Sequence, residues 1–319
     1  MAKFAVVLLN LGGPDSLEAI EPFLKNLFSD KNIFKIPLLQ KFVANIIARK
    51  RAPLVKSEYK MIGGKSPIGY WTEVQRSKLE KSLRKEYEAV DVFTCMRYWH
   101  PMTDEVAPKV AEGNYDKIVL LPLYPQYSKT TTFSSFDEWD KKYKGDKSKL
   151  VYIDNFYENE IYIKAINERI DEALVRMSNE FREKMQLVFS AHGTPIKLVE
   201  KGDPYSQQIK ETVELVMKAR NSSYPYHLCF QSKVGPVKWL EPATDTMIES
   251  LAQEGKNHML IIPISFVSDH VETHYELDIE YRQVAQKAGV EYYSVIKGLN
   301  DSDTFVEALK PLTMDALNK

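Results

Sequence analysis

Seven of the twelve residues from Asp269 to Glu280 are acids or imidazoles: Asp269, His270, Glu272, His274, Glu276, Asp278 and Glu280. Carboxylates and imidazoles at that density can hold a hard cation or hand protons from one to the next. Glu272, Glu276 and Glu280 stand four apart, so on a helix they form one acidic row, which like-charge repulsion weakens. A row kept at that cost points to a job; the plain alternative is a solvated helix face. The segment directly follows the apolar run His258–Ile264. Open α/β sheets bind ligands beyond the carboxyl ends of their strands, which favours the functional reading.

A second turn, SAHGTP at Ser190–Pro195, puts His192 at a predicted strand end beside Gly193. A glycine there lets the backbone turn sharply or approach a ligand. His192 with Glu272 gives one imidazole facing one carboxylate. That pair can bind a borderline divalent ion such as iron(II), or accept protons near neutral pH. Other chemistries lack their signatures. There is no Walker lysine, no G-x-G-x-x-G and no G-x-S-x-G, and His270–His274 is not the zinc-protease H-E-x-x-H. Tyr98, Trp99, Tyr124, Tyr127, Trp239 and Phe266 fall at or near predicted strand ends. Aromatics most often build cores, but at such positions they also suit a large flat ligand.

The elements that position these groups read as strands alternating with helices. Eight short apolar or β-branched runs stand out: Phe4–Leu9, Asp91–Cys95, Ile118–Leu123, Leu150–Ile153, Leu187–Phe189, His227–Phe230, Met259–Ile264 and Glu291–Ile296. Helical stretches such as Thr72–Tyr87, Ile161–Met177, Pro204–Ala219 and Asp245–Glu254 separate most of them. This alternation predicts an α/β fold with parallel sheets. The halves rhyme: LLNLGGP matches FSAHGTP, with Leu11 opposite His192. Cys95 with Pro101 matches Cys229 with Pro236, and LLPLYPQYS matches IIPISFVSD. Three matches in one order indicate an internal duplication. Leu11 lies 84 positions before Cys95 but His192 only 37 before Cys229, so the first half carries about 47 extra residues. They fall in 28–67, around the apolar, basic-ended stretch Ile36–Arg51. That stretch is either a lid over an apolar ligand and a lip on an anionic membrane, or a core helix with a solvated basic end. The expected division is an N-terminal Rossmann-like domain at 1–155 with this insertion and a second at 156–319, whose last helix can pack back on the first. Strand-end loops carrying Leu11, His192, Arg97-Tyr98, Tyr124–Ser128 and Asp269–Glu272 are expected to converge on a shared cleft.

Bulk numbers exclude several classes. At 319 residues and net charge −1, no basic field recruits nucleic acid. Two cysteines, Cys95 and Cys229, both in strand-like runs, fit reduced thiols in a cytosolic protein. No signal peptide and no membrane-spanning run are visible. A cytoplasmic protein, peripheral at most on the inner membrane, is expected.

Taken together, these residues resemble the ferrochelatases, enzymes that insert iron(II) into a porphyrin. The motifs are LNLGGP, IGGKSPI, RYWHP, YPQYS, SAHGTP, GDPY, FQSKVGPVKWLEP and SDHVETHYELDIEY, spread over nearly the whole chain. The resemblance implies the class II chelatase fold, two similar Rossmann-like domains with a porphyrin cleft between them. It implies that His192 and Glu272 are catalytic and nearest the iron, His192 as proton acceptor or iron ligand, with Glu276 and Glu280 as a path for protons or metal. Leu11, Arg97, Tyr98, Tyr124, Ser128, Trp239 and Phe266 become porphyrin-binding residues. The implied reaction converts protoporphyrin IX and iron(II) to protohaem with release of two protons, the last step of haem biosynthesis. Iron(II) is then a substrate, with no permanently bound cofactor. The resemblance also favours the lip reading of Ile36–Arg51, with peripheral membrane contact there. Family members with an iron–sulfur cluster carry cysteines that this chain lacks: Lys129 follows Ser128 and the sequence closes at Lys319, so no cluster is expected. Members acting on coproporphyrin tend to have Tyr where this chain has Leu11. Alternatives are a chelatase for coproporphyrin III or another tetrapyrrole and metal, and a non-catalytic porphyrin carrier. The oligomeric state is not encoded in any motif.

Overall fold

The structure, a computed structural model, describes residues 2–33, 38–233, 235 and 237–318. The chain divides into two compact units, Met1–Asn155 with Asn300–Lys319, and Phe156–Leu299.

The first unit runs β1 (Phe4–Asn10), α1 (Ile20–Ser29), α2 (Gln40–Met61), α3 (Ile68–Leu83), β2 (Val90–Met96), α4 (Thr103–Glu112), β3 (Lys117–Pro122), α5 (Thr132–Lys142) and β4 (Leu150–Tyr152). Its strands are parallel in the order β2-β1-β3-β4. The central strand β1 is a near-continuous apolar run because helices cover both faces of a parallel sheet. The insertion carries one long helix, α2, which packs on α1. Ala44, Ala48 and Ala52 of α2 are buried, whereas Leu39, Phe42, Ile46 and Leu54 are exposed. Those four side chains therefore face outward and do not take the core-helix reading, while Val43 and Ile47 are partly buried. The beginning of the predicted stretch, Ile36 and Pro37, lies outside the described residues.

The second unit runs α6 (Glu160–Val175), α7 (Asn179–Glu183), β5 (Gln186–His192), α8 (Ile196–Glu200), α9 (Tyr205–Ala219), β6 (Tyr226–Gln231), α10 (Thr244–Gln253), β7 (His258–Pro263), a π-helix (Glu272–Glu280), α11 (Tyr281–Lys287) and β8 (Tyr292–Val295). Its order, β6-β5-β7-β8, repeats that of the first unit strand for strand, all parallel. The last helix, α12 (Asp303–Asn318), belongs to the first unit, where it packs on α3 and β3.

The repeat extends beyond the strands, with one correction. Met96 N donates to Pro101 O at 2.7 Å, and Phe230 N donates to Pro242 O at 2.9 Å. Pro242, not Pro236, is therefore the counterpart of Pro101; Pro236 itself lies outside the described residues. The loop after β6 is the longer of the two, and its extra length carries Ser232 and Trp239.

Candidate active site

His192 is the last residue of β5, paired in register with Gln231 of β6. Gly193 follows because nothing else fits: a Cβ there would stand 2.6 Å from Gln231 O, the same carbonyl that accepts the Gly193 N–H at 2.8 Å. The His192 imidazole, 40% exposed, places Nδ1 2.9 Å from Glu272 Oε2. Its Nε2 has no hydrogen bond among the described residues.

Glu272 opens the π-helix, whose i→i+5 turns are wider than those of an α-helix. The acidic row is thus not the α-helical one its spacing predicted. Glu272 and Glu276 instead converge on one residue, Ser232, which sits at φ 65° in the left-handed region. Ser232 Oγ donates to Glu276 Oε2 at 2.6 Å and lies 3.4 Å from Glu272 Oε2, while Ser232 N donates to Glu276 Oε1 at 2.7 Å. Tyr281 OH donates to Glu276 Oε1 at 2.9 Å. Gln231 Nε2 reaches Glu272 Oε2 at 3.2 Å, and the Ser190 hydroxyl on Gln231 Oε1 at 2.9 Å fixes which way the amide faces. Glu280 stands at the exposed end of the helix without a hydrogen bond among the described residues.

The electrostatics separate these groups. Burial disfavours ionisation of Glu272, but the His192 charge and hydrogen bond outweigh it and hold the carboxyl far below its usual range. Burial likewise disfavours a charged His192, yet Glu272, helped by Glu276, raises its pKa above the ordinary 6.5. Both shifts describe one ion pair. Glu276 moves the other way: burial and the neighbouring Glu272 charge push it up to about 7, against the donors Ser232 and Tyr281. Partial burial and Asp245 raise Glu280 as well. The site therefore holds one firmly ionised carboxylate, one imidazole above its normal range, and one carboxyl that titrates at neutrality. Among the described residues, no group of three or more His, Cys, Asp and Glu side chains is arranged to hold a metal ion.

Phe266 turns its ring edge-on to His192, with centroids 6.3 Å apart, and lies 4.2 Å from the ring of His270. His270 is buried with neither ring nitrogen hydrogen-bonded, and burial keeps it neutral by lowering its pKa. Trp239 is half-buried against the same turn: Pro195 and Trp239 form a β-bridge, and the indole carbon Cε3 is 3.4 Å from the Cβ position of Gly193.

The second unit thus brings together His192, Glu272, Glu276, Trp239 and Phe266. The remaining predicted residues lie in the first unit. Leu11 and Tyr124 are partly exposed. Arg97, whose side chain is 12% exposed, binds Asp30 at 2.9 Å and Ser134 Oγ at 2.9 Å. Tyr98 is fully buried with its hydroxyl on Asp30 at 2.6 Å, and Ser128 is 1% exposed. Tyr98 and Ser128 are thus buried within the first unit. Arg97 is committed to Asp30 rather than held free for an anion. Gln231, Ser232 and Tyr281 were not singled out from the sequence. All three sit inside recognised motifs, but no spacing rule shows that Gln231 and Ser232 grip carboxylates some forty positions away.

The ferrochelatase family model matches residues 3–317. The ferrochelatase of Geotalea daltonii is 46% identical over 314 residues, covering 97% of both chains. That of Aquifex aeolicus is 45% identical over 316 residues, 97% of this chain and 98% of its own. Among solved structures, SirB from Bacillus subtilis with Fe3+ superimposes with a TM-score of 0.57 at 12% identity over 99% of this chain and 96% of its own. CbiX, described as the terminal enzyme of sirohaem biosynthesis in denitrifying bacteria, gives a TM-score of 0.53 at 11% identity over 98% and 99%. These two likenesses establish the fold.

Proposed function

The chain belongs to the ferrochelatase family and is a metal chelatase of haem synthesis; we propose that its porphyrin is protoporphyrin IX and that His192 and Glu272 face the metal and the pyrrole protons. The observation that carries the site assignment is the 2.9 Å pair itself, with Nε2 of the imidazole open and a neutrally titrating carboxyl next to it.

A free porphyrin holds two N–H protons and keeps its nitrogen lone pairs in the ring plane. Iron(II) insertion forms four Fe–N bonds and releases two protons, with no change in oxidation state. A site that favours a bent macrocycle lowers the barrier by differential binding. Neutral His192 takes a pyrrole proton at Nε2, and Glu272 stabilises the imidazolium that results. Ser232, hydrogen-bonded to both carboxylates, links Glu272 to Glu276. The proton then leaves by Glu276 towards exposed Glu280, and His192 is reset for the second. Glu272 carries the proton only in passing, returns to the ionised form its surroundings favour, and is the natural first oxygen ligand for iron(II) as substrate.

Leu11 supports protoporphyrin over coproporphyrin, since an apolar side chain suits the less carboxylated ring. The buried, separate Cys95 and Cys229 support a protein without an iron–sulfur cluster. No described helix is long and apolar enough to cross a membrane. Exposed Leu39, Phe42 and Ile46 beside Lys41, Lys50 and Arg51 support a cytoplasmic protein that touches an anionic membrane through α2. Anaerobic incubation with iron(II) and, separately, protoporphyrin IX and coproporphyrin III tests the reading. Faster loss of protoporphyrin is expected. Faster loss of coproporphyrin overturns the Leu11 argument, and loss of neither overturns catalysis in favour of a porphyrin carrier.

A further inference from the structure

The peptide groups of a parallel strand point alternately to its two neighbours. In β5, Ser190 O accepts Ile264 N at 3.1 Å on the β7 side, whereas Gly193 N donates to Gln231 O on the β6 side. By this alternation the N–H and C=O of His192 both face β7. The β7 ladder has already ended, its last pair being Ser190 with Pro263. Two polar backbone groups at the root of the reacting imidazole are thus left without sheet partners, and leaving such groups unpaired in an interior is costly.

Two side chains take over. Ser265 Oγ accepts the His192 N–H at 3.0 Å, and the Tyr205 hydroxyl donates to His192 O at 3.0 Å. We propose that Tyr205 and Ser265 are positioning residues that clamp the main chain of His192 from both ends and so hold its Nε2 in the productive direction. One hydroxyl thus meets each of the two open backbone groups of His192. Tyr205 is itself fixed. It is buried at the first position of α9, and Asp203 Oδ1 accepts its N–H at 3.0 Å. Neither residue contacts Glu272 by a hydrogen bond, so the clamp acts on the orientation of His192 alone.

The inference rests on His192 as the reacting imidazole. The test is single-turnover iron insertion by Y205F, S265A, S265T and H192A, with KM for porphyrin and melting temperature measured alongside. Y205F and S265A are expected to lose roughly ten- to a hundredfold in rate, as when other groups that orient a reactive side chain are removed. Their porphyrin KM stays near wild type, the melting temperature falls by a few degrees because one backbone group loses its partner, and S265T, which keeps the hydroxyl, recovers both rate and melting temperature. Wild-type rates in both Y205F and S265A, with H192A inactive, overturn the clamp and leave the functional reading standing. Equal losses in S265A and S265T also overturn it, because the hydroxyl is then not the cause. A fully active H192A overturns the functional reading on which the clamp depends.

Discussion

The two units carry the same four-stranded sheet and each holds one acid–base pair near its strand ends, but the pairs are built to opposite purposes. In the first unit, Asp30 is closed off. Its carboxylate accepts from Arg97, Tyr98 and Ser134, with its side chain 2% exposed. In the second, His192 is 40% exposed and Glu272 22%, and one imidazole nitrogen is left open. A fully satisfied buried pair holds a loop in place, whereas a half-satisfied one at a surface can exchange a proton. The duplicated strand end makes the same point: Leu11 in one unit occupies the place His192 takes in the other.

The contrast breaks first at His192. H192A is expected to lower turnover by roughly 10²- to 10⁴-fold while leaving porphyrin affinity and unfolding free energy close to wild type. Iron insertion, porphyrin fluorescence titration and urea denaturation check the three parts. Wild-type turnover would remove the residue from the mechanism.

D30A should do the reverse. It strands Arg97 and the Tyr98 hydroxyl in the interior, at a cost of about 3–5 kcal/mol, read by denaturant titration. Burial alone would raise the Asp30 carboxyl, but Arg97, Ser134, Tyr98 and the Asn32 N–H together lower it below 3.8. Its contribution is thus present above that unfolded value and is lost as pH falls through the folded one. The gap between wild type and D30A should therefore narrow in acid. A gap independent of pH would contradict the pairing.

Gly193 sharpens the comparison within the second unit. G193A drives a Cβ against Gln231 O and should cost about 1–3 kcal/mol of stability by overpacking, with turnover falling as His192 shifts. Gly69, in α3 of the first unit, has open space at its Cβ position. G69A is the control, expected to unfold no earlier than wild type in a thermal melt.

The smallest effect concerns pH. Glu276 helps Glu272 to raise His192 above 6.5. Removing that charge in E276Q favours the neutral imidazole, so the acid limb of the single-turnover rate should move to lower pH. An unmoved limb would show that Glu276 does not sense His192.

Much of this was legible beforehand. The eight strands were readable because parallel strands covered on both faces are almost uninterrupted apolar runs, as FAVVLLN and HMLIIP show. His192 and Glu272 stood out because an imidazole beside glycine and a crowd of carboxylates follow such runs. The burial of Tyr98 and Ser128 was not legible, because residue type and loop position do not say which way a side chain points. Pro236 misled because motif spacing cannot register a loop of unequal length.

The sequence alone determined the alternation of strand and helix, the duplication, and the chemistry available at two strand ends. These depend on composition and local periodicity, which chain order carries directly. Only the tertiary structure decided that His192 meets Glu272, that a wide π-turn brings Glu276 to the same serine, and that Ser265 and Tyr205 complete the end of β5. Those depend on where one strand stops relative to its neighbour, a difference of one or two residues that turns a peptide group from a paired position to an open one.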